Sequence, residues 1–243
     1  MKHFYLILKT SFIITLLFLT TSCTTRNEKA EEYMKTGIDL HFLGKFNEAI
    51  KYYSKAVKKM PDFADAYYNR AWAKNSLKDY KGALEDFSKA IELDSANADY
   101  FNGRGFSQQE AKNFEGAIKD FLKALKIDSN YLHAYNNLAW SNNSLGNYGQ
   151  AIFYCNKAIK KDSLYGNAYG NKGFANLSLG NYEEAIVNFN RAILIDSKNT
   201  YALLNRGNTY LKLDSIKLAC KDFNSAANFG DKEAQKLLQK HCK

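Results

Sequence analysis

Three near copies of one short sequence decide the fold of this chain of 243 residues. They are Gly44-Lys-Phe-Asn-Glu-Ala-Ile, Gly146-Asn-Tyr-Gly-Gln-Ala-Ile and Gly180-Asn-Tyr-Glu-Glu-Ala-Ile. The first two begin 102 residues apart and the last two begin 34 residues apart, so all three fit a period of 34 residues. A fixed period of this length indicates a chain built from stacked copies of one small structural unit.

Counting in steps of 34 from Ala30 divides residues 30–233 into six units. The units begin at Ala30, Ala64, Ala98, Leu132, Gly166 and Thr200. In the second half of each unit, apolar residues recur at i, i+3 or i+4, and i+7, which is typical of an amphipathic helix. Small residues recur where two helices must cross at an axis separation of about 8–10 Å. On the predicted first helix they are Gly37, Ala71, Gly105, Ala139, Gly173 and Gly207, and on the second Ala49, Ala83, Ala117, Ala151, Ala185 and Ala219.

These units resemble tetratricopeptide repeats (TPRs), which share the 34-residue period, a Gly or Ala in the first helix and an Ala-x3-aromatic pattern in the second. Cys155 departs from the pattern by replacing an aromatic residue, and serine replaces the closing proline of the repeat in four units. The resemblance implies an all-α fold. We expect a right-handed α-solenoid of six helix-turn-helix units over residues 30–233, closed by a capping helix within residues 234–243.

The N-terminus resembles the signal peptide of a bacterial lipoprotein. Lys2 and Lys9 flank the start of a short apolar run, and small residues follow before Cys23. Leu19-Thr-Thr-Ser-Cys resembles the lipobox, although Thr20 stands where that family has an aliphatic residue. The resemblance implies that residues 1–22 are a signal peptide and that residues 23–29 form a lipidated N-terminus and tether. Ordinary cleavage and an uncleaved anchor stay open. The predicted location is the bacterial cell envelope, with the lipid-anchored chain facing the periplasm or the cell surface.

A solenoid presents its first helices along a continuous concave groove. In the TPR register, the fifth, sixth and ninth places of each unit are expected to contact ligand. The predicted groove residues are Tyr68, Asn69, Trp72, Asn102, Phe106, Asn136, Asn137, Trp140, Asn171, Phe174, Asn205 and Asn208. Asparagine amides match the alternating donors and acceptors of a peptide backbone, and aromatic faces offer a large contact area. Periodicity alone favours core packing instead, so that alternative stays open, above all for the aromatic residues.

The sequence predicts a binding protein rather than an enzyme. It has no G-x-S-x-G, P-loop, GxGxxG or HExxH motif, and we expect no catalytic residue, cofactor or metal. The net charge of +9 is distributed over helix ends, and no motif for nucleic-acid recognition is present. We expect an envelope-anchored scaffold that binds an extended segment of a partner protein. The alternatives are a structural subunit that docks by its convex face or cap, and a module that binds a glycan or small ligand.

Two of the four cysteines are candidates for a disulfide. Export implies an oxidising compartment, in which Cys220 and Cys242 could join the capping helix to the last repeat. Two unpaired thiols are the alternative. A zinc site that adds His241 lacks a fourth ligand. Cys155 occupies a core position, where we expect a buried thiol.

Overall fold

The computed structural model describes residues 27–242, so the predicted signal peptide (residues 1–22) and lipidation site Cys23 lie outside the described residues. The regular secondary structure of the described chain is entirely α-helical, which confirms the predicted fold class. Helix α1 covers residues 27–42. The others are α2 (Phe46–Lys59), α3 (Ala64–Ser76), α4 (Tyr80–Leu93), α5 (Ala98–Glu110), α6 (Phe114–Ile127), α7 (Leu132–Ser144), α8 (Tyr148–Lys161), α9 (Gly166–Leu179), α10 (Tyr182–Ile195), α11 (Thr200–Lys212), α12 (Ile216–Asn228) and α13 (Lys232–His241).

The helices form two compact units, and the chain passes from one to the other within α5: the N-terminal unit extends up to residue 107 and the C-terminal unit begins at residue 108. In the N-terminal unit, α3 packs against both α2 and α4. In the C-terminal unit, consecutive helices from α6 to α13 pack against each other. The odd-numbered helices of the C-terminal unit also meet, since α9 contacts α7 and α11. Within each unit, we call the faces of its odd-numbered helices up to α11 the first-helix surface of that unit, and those of its even-numbered helices the second-helix surface.

The helix boundaries follow the 34-residue period. Helices α3, α5, α7, α9 and α11 begin at the residues that the period places at the starts of units. The turn to the second helix repeats as well, because one residue with positive φ occupies the same place in every unit. These residues are Gly44 (φ 72°), Lys78 (62°), Lys112 (62°), Gly146 (77°), Gly180 (81°) and Asp214 (52°). Glycine adopts this conformation without steric cost, whereas the lysines and the aspartate adopt it against their preference.

The core is built from small residues facing large ones. The predicted small residues of the second helices are fully buried, and so is one aromatic side chain in five of the six second helices. Those aromatic residues are Tyr53, Phe87, Phe121, Phe189 and Phe223. A Cβ atom added at Gly173 would lie 2.6 Å from the Phe189 ring, so the ring needs glycine opposite it. Cys155 takes the equivalent place in α8 and is also fully buried.

In the four units where serine stands in place of the closing proline, the aspartate that precedes this serine shapes the link to the next unit. The side chain of Asp94 accepts a hydrogen bond from the backbone N–H of Ala96 at 2.9 Å, and Asp162 does the same for Leu164 at 2.8 Å. The side chains of Asp128 and Asp196 accept the same kind of bond, from the backbone N–H groups of Asn130 and Lys198. This Asx turn fixes the backbone without the ring of a proline.

Ion pairs join the two helices of several repeats. Arg70 on α3 donates two hydrogen bonds to Asp86 on α4, at 2.8 and 2.6 Å. Arg206 on α11 makes the same contact to Asp222 on α12, at 2.7 and 2.6 Å. Both carboxylates are buried, so each pair links its two helices in a setting where water screens charge weakly.

The capping helix α13 begins at Lys232, two residues before the predicted cap. The Asp231 side chain accepts a hydrogen bond from the backbone N–H of Ala234 at 2.8 Å and so caps its N-terminus. Ala234 is buried in the core of the last repeat. The structure brings Cys220 and Cys242 together with Cα atoms 5.7 Å apart, a separation at which a disulfide can form.

Candidate functional site

A pocket of about 210 Å³ opens on the first-helix surface of the C-terminal unit. It is lined by Asn136, Trp140, Asn167, Gly170, Asn171, Asn199 and Tyr201. Three of these, Asn136, Trp140 and Asn171, are residues that the sequence predicts for the groove. Helices α7, α9 and α11 and the residue that precedes α11 supply the lining, so the pocket requires three successive repeats. We call it the asparagine pocket.

Two predicted asparagines are bonded to each other in this pocket. The Asn171 amide donates to the Asn136 side-chain oxygen at 2.8 Å. The backbone carbonyl of Asn171 accepts a further bond from Asn143 at 3.0 Å, which ties α9 to α7. Asn171 is only 5% exposed, whereas Asn136 is half-buried. The pair therefore presents a fixed amide at the wall of the pocket.

Two aromatic rings contribute flat apolar surfaces to the same pocket. Trp140 is half-buried, and its ring packs edge-on against Phe114 with centroids 5.7 Å apart. Tyr201 is 38% exposed, and its ring lies 6.3 Å from that of Phe174. Gly170 leaves room between the elements, because a Cβ atom added there would lie 3.4 Å from the Tyr201 ring.

Burial keeps the Cys155 thiol and the Tyr201 phenol uncharged. Cys155 stands where the other repeats carry a buried aromatic residue, and burial raises the pKa of its thiol to about 12. Burial is also the main cause that raises the pKa of Tyr201, followed by charge interaction with Cys155. Both groups stay protonated and uncharged at neutral pH.

The asparagine pocket can bind an uncharged ligand by hydrogen bonds and stacking. None of its seven lining residues is charged, although the chain carries a net charge of +9. It also offers no acid–base pair of the kind that general acid–base catalysis uses. Within residues 27–242 no group of three or more His, Cys, Asp or Glu side chains could hold a metal ion.

A second pocket, of about 260 Å³, lies on the first-helix surface of the N-terminal unit. It is lined by Ile38, His41, Phe42, Tyr53, Tyr68, Asn69 and Trp72, and we call it the aromatic pocket. The predicted groove residues Tyr68, Asn69 and Trp72 are among these. The Trp72 ring also packs against Phe87 and Phe106, with centroids 5.6 and 5.2 Å away. The aromatic residues therefore line a pocket and contribute to the core at once.

Other predicted groove residues lie outside the lining of both pockets. Asn102 and Asn205 are each 8% exposed, and the Asn205 amide donates to the backbone carbonyl of Tyr201 at 2.8 Å. Phe106, Asn137, Phe174 and Asn208 are half-buried. Conversely, the pockets contain residues from outside the predicted places. They are His41, Phe42, Tyr53, Asn167, Asn199 and Tyr201. Ile38 and Gly170 also line the pockets and occupy the ninth and fifth places of their units, which were expected to contact ligand.

Family profiles match most of the repeat region. Profiles described as tetratricopeptide repeat match residues 64–97, 98–131 and 132–162, and one described as TPR repeat matches residues 39–74 and 176–214. The chain belongs to the tetratricopeptide repeat family. The resemblance drawn from the period and the small residues is thereby confirmed. No helix within residues 27–242 of this TPR chain is long and apolar enough to cross a membrane.

Solved TPR structures share this fold at low sequence identity. PilW, a widely conserved type IV pilus biogenesis factor, is 20% identical, with 87% of this chain and 99% of that chain covered and a TM-score of 0.78. The pilF protein of Pseudomonas aeruginosa is 21% identical, with 89% of this chain and 99% of that chain covered and a TM-score of 0.73. YrrB, a TPR protein with an unusual peptide-binding site, is 23% identical, with 77% of this chain and 97% of that chain covered and a TM-score of 0.56. At these identities the likeness shows the fold.

One relative is similar in sequence over a shorter stretch. The uncharacterized protein MJ0572 of Methanocaldococcus jannaschii is 35% identical over 54 residues, which cover 22% of this chain. The aligned stretch spans 63% of that protein, less than two thirds of its length.

Proposed function

We propose that this TPR chain is a non-catalytic scaffold, anchored in the bacterial envelope, which binds an extended segment of a partner protein on its first-helix surface. The asparagine pocket carries the proposal. Its Asn136–Asn171 pair can exchange hydrogen bonds with a peptide backbone, and Trp140 and Tyr201 can receive the side chains. An uncharged lining suits a peptide backbone better than it suits a charged small molecule.

The comparisons support the two parts of the proposal separately. YrrB shares the fold and has a peptide-binding site, which supports a protein or peptide as the ligand. PilW shares the fold and serves type IV pilus biogenesis, which is compatible with a place in the envelope. The anchor itself rests on the resemblance of the first 23 residues to a lipoprotein signal peptide.

Photo-crosslinking in intact cells tests the ligand and its site together. We expect a photoreactive amino acid at the exposed position of Asn167, on the rim of the asparagine pocket, to capture one specific protein. The double variant Asn136→Ala, Asn171→Ala should weaken binding of that protein by about 10- to 100-fold, because each lost hydrogen bond contributes about 0.5–1.5 kcal/mol. Since both partners of the internal bond are removed, no buried amide is left unpaired, and the circular dichroism spectrum should not change.

A second candidate function is that of a structural subunit that docks through the second-helix surface of the C-terminal unit. A pocket of about 400 Å³ lies beside Tyr169, Val187 and Leu194. Val187 is 66% exposed and Leu194 is 74% exposed, which suits a subunit that docks on α10. A photoreactive group at position 187 is therefore the matched control. A protein captured from position 187 and not from position 167 would favour docking and contradict groove binding.

Mass spectrometry of the chain isolated from envelope membranes, alkylated without reductant, tests export and anchoring. We expect an acylated Cys23 at the N-terminus, a disulfide between Cys220 and Cys242, and one free thiol, at Cys155. The free thiol should react only after unfolding, because it is fully buried. A chain in which Cys220 and Cys242 are both alkylated, or from which residues 1–22 have not been removed, would contradict the proposed location. Cys23→Ser is the control and should release the chain from the membrane.

A further inference from the structure

The aromatic pocket of the N-terminal unit has the size of a single side chain. Its volume of about 260 Å³ falls below the range of about 300–1,000 Å³ that is typical of sites for whole drug-sized ligands. Phe42 is 86% exposed at its edge, and the neighbouring Leu43 is 70% exposed. Exposed apolar side chains beside a concave pocket are a common feature of surfaces that receive a partner.

One buried hydroxyl in this pocket has no role in packing. Tyr53 is fully buried, and its ring packs over Gly37 as Phe189 packs over Gly173 and Phe223 over Gly207. Phenylalanine fills this place in four other repeats, so a ring without a hydroxyl is sufficient for the core. The Tyr53 hydroxyl finds no hydrogen-bond partner among residues 27–242. A buried hydroxyl without a partner destabilises the fold, so a ligand group that bonded to it would remove this cost.

A second unpaired polar atom lines the same pocket. Within the described chain, Nδ1 of His41 is buried and has no hydrogen-bond partner. Burial lowers the pKa of His41, so the ring is neutral at pH 7 and carries one N–H and one acceptor nitrogen. Burial also raises the pKa of Tyr53 to about 12, so the hydroxyl keeps its proton. The pocket therefore combines apolar walls with two neutral hydrogen-bonding groups.

These requirements select one kind of side chain. A carboxylate or an ammonium group would enter a pocket whose lining offers no opposite charge, which is unfavourable. A phenylalanine would leave both polar atoms unpaired, and a short polar side chain would leave the walls of Ile38, Phe42 and Trp72 uncovered. A phenol covers those walls and both donates and accepts a hydrogen bond.

We propose that the aromatic pocket binds a tyrosine side chain of the partner, whose phenol hydroxyl bonds to Tyr53 and His41. This inference rests on the proposed function, because it assigns one residue of the bound segment. It concerns the N-terminal unit alone and does not depend on the asparagine pocket.

The test compares p-cresol, which is the side chain of tyrosine, with toluene, which lacks the hydroxyl. Binding of each to the full chain is followed by two-dimensional NMR. We expect p-cresol to bind the native chain about tenfold more tightly than toluene and to shift the indole N–H signal of Trp72. In Tyr53→Phe this preference should disappear, while toluene binds as before. Tyr53→Phe should fold at least as stably as the native chain, because it removes an unpaired group and restores the residue of the other repeats. The matched control Tyr154→Phe, on α8 of the C-terminal unit, should keep the preference.

Equal affinities of p-cresol and toluene for the native chain would overturn this inference, and so would an unchanged preference in Tyr53→Phe. Its failure is distinguishable from failure of the proposed function. A partner captured from position 167, with no preference for p-cresol, would leave the scaffold in place and remove the tyrosine subsite. A clear preference for p-cresol that Tyr53→Phe abolishes, with no protein captured from position 167, would support the subsite and contradict peptide binding in the asparagine pocket.

Discussion

Replacing Asp222 by alanine is expected to lower the free energy of unfolding by about 3–5 kcal/mol. The Asp222 carboxylate is 3% exposed and accepts two hydrogen bonds from Arg206, at 2.7 and 2.6 Å. The hydrogen bonds to Asp222 raise the pKa of the Arg206 guanidinium, so this group stays charged in every practical buffer. Alanine would leave that cation partly buried without its anion, and this desolvation is the main cause of the loss. Urea unfolding followed by circular dichroism measures the change.

The control is a carboxylate that is paired but exposed. Glu233 contacts Lys236 at 3.1 Å within α13, with side chains that are 57% and 74% exposed. Water screens this pair, so Glu233→Ala should cost less than about 1 kcal/mol. Similar losses in the two variants would show that burial does not set the strength of the pair at Asp222. In the N-terminal unit, Asp86→Ala should be at least as costly as Asp222→Ala, because Asp86 pairs with both Arg70 and Lys74.

The fold could be predicted from the sequence because its main constraint repeats in the sequence. Two helices can cross closely only where a small residue faces the neighbouring helix, and such a residue recurs every 34 positions. The turn between the helices was also visible where glycine occupies it, as at Gly44. The ion pairs were not predicted, although Arg70 and Arg206 each precede their aspartate by 16 residues. That spacing has meaning only once the turn is known to fold α3 onto α4 and α11 onto α12.

The groove was predicted less completely, because one register position serves several purposes. Asn69, Asn171 and Asn205 share the sixth place of their units, yet their amides bond differently. Asn69 and Asn205 donate to backbone carbonyls one turn earlier in their own helices, whereas Asn171 donates to Asn136. A short amide side chain can reach either target, and periodicity does not decide between them.

The two pockets depend on residues that differ from those at the same place in the other repeats, and a consensus pattern leaves such residues out. The asparagine pocket includes Gly170, where the other units have larger residues, and Tyr201, whose counterparts in the other units are all polar or charged. The aromatic pocket includes Tyr53, where four of the other repeats have phenylalanine. In each case the signal was in the sequence, as a residue unlike its counterparts. Its consequence required knowledge of the residues that pack around it.

Replacing Phe189 by alanine is expected to lower the free energy of unfolding by about 3–5 kcal/mol, through lost burial and the cavity that remains. Phe189 is fully buried among Ala185, Ala192 and Ala202. Phe153 on α8 is the matched control, since it is 49% exposed and leaves no enclosed cavity when it is shortened. Phe153→Ala should cost less than half as much in the same urea titration. Equal losses would mean that the ring at Phe189 is not what joins α9 to α10.

Whether Gly173→Ala destabilises or stabilises the chain should depend on the presence of the Phe189 ring. A Cβ atom at Gly173 would lie 2.6 Å from the Phe189 ring, so Gly173→Ala should destabilise the native chain by about 1–3 kcal/mol through overpacking. In the Phe189→Ala background the ring is absent and the clash disappears. The same Gly173→Ala change should then stabilise the chain by up to about 1 kcal/mol, because alanine favours a helix over glycine. A double-mutant cycle in urea measures this coupling, and additive effects of the two substitutions would show that Gly173 is not required by the Phe189 ring.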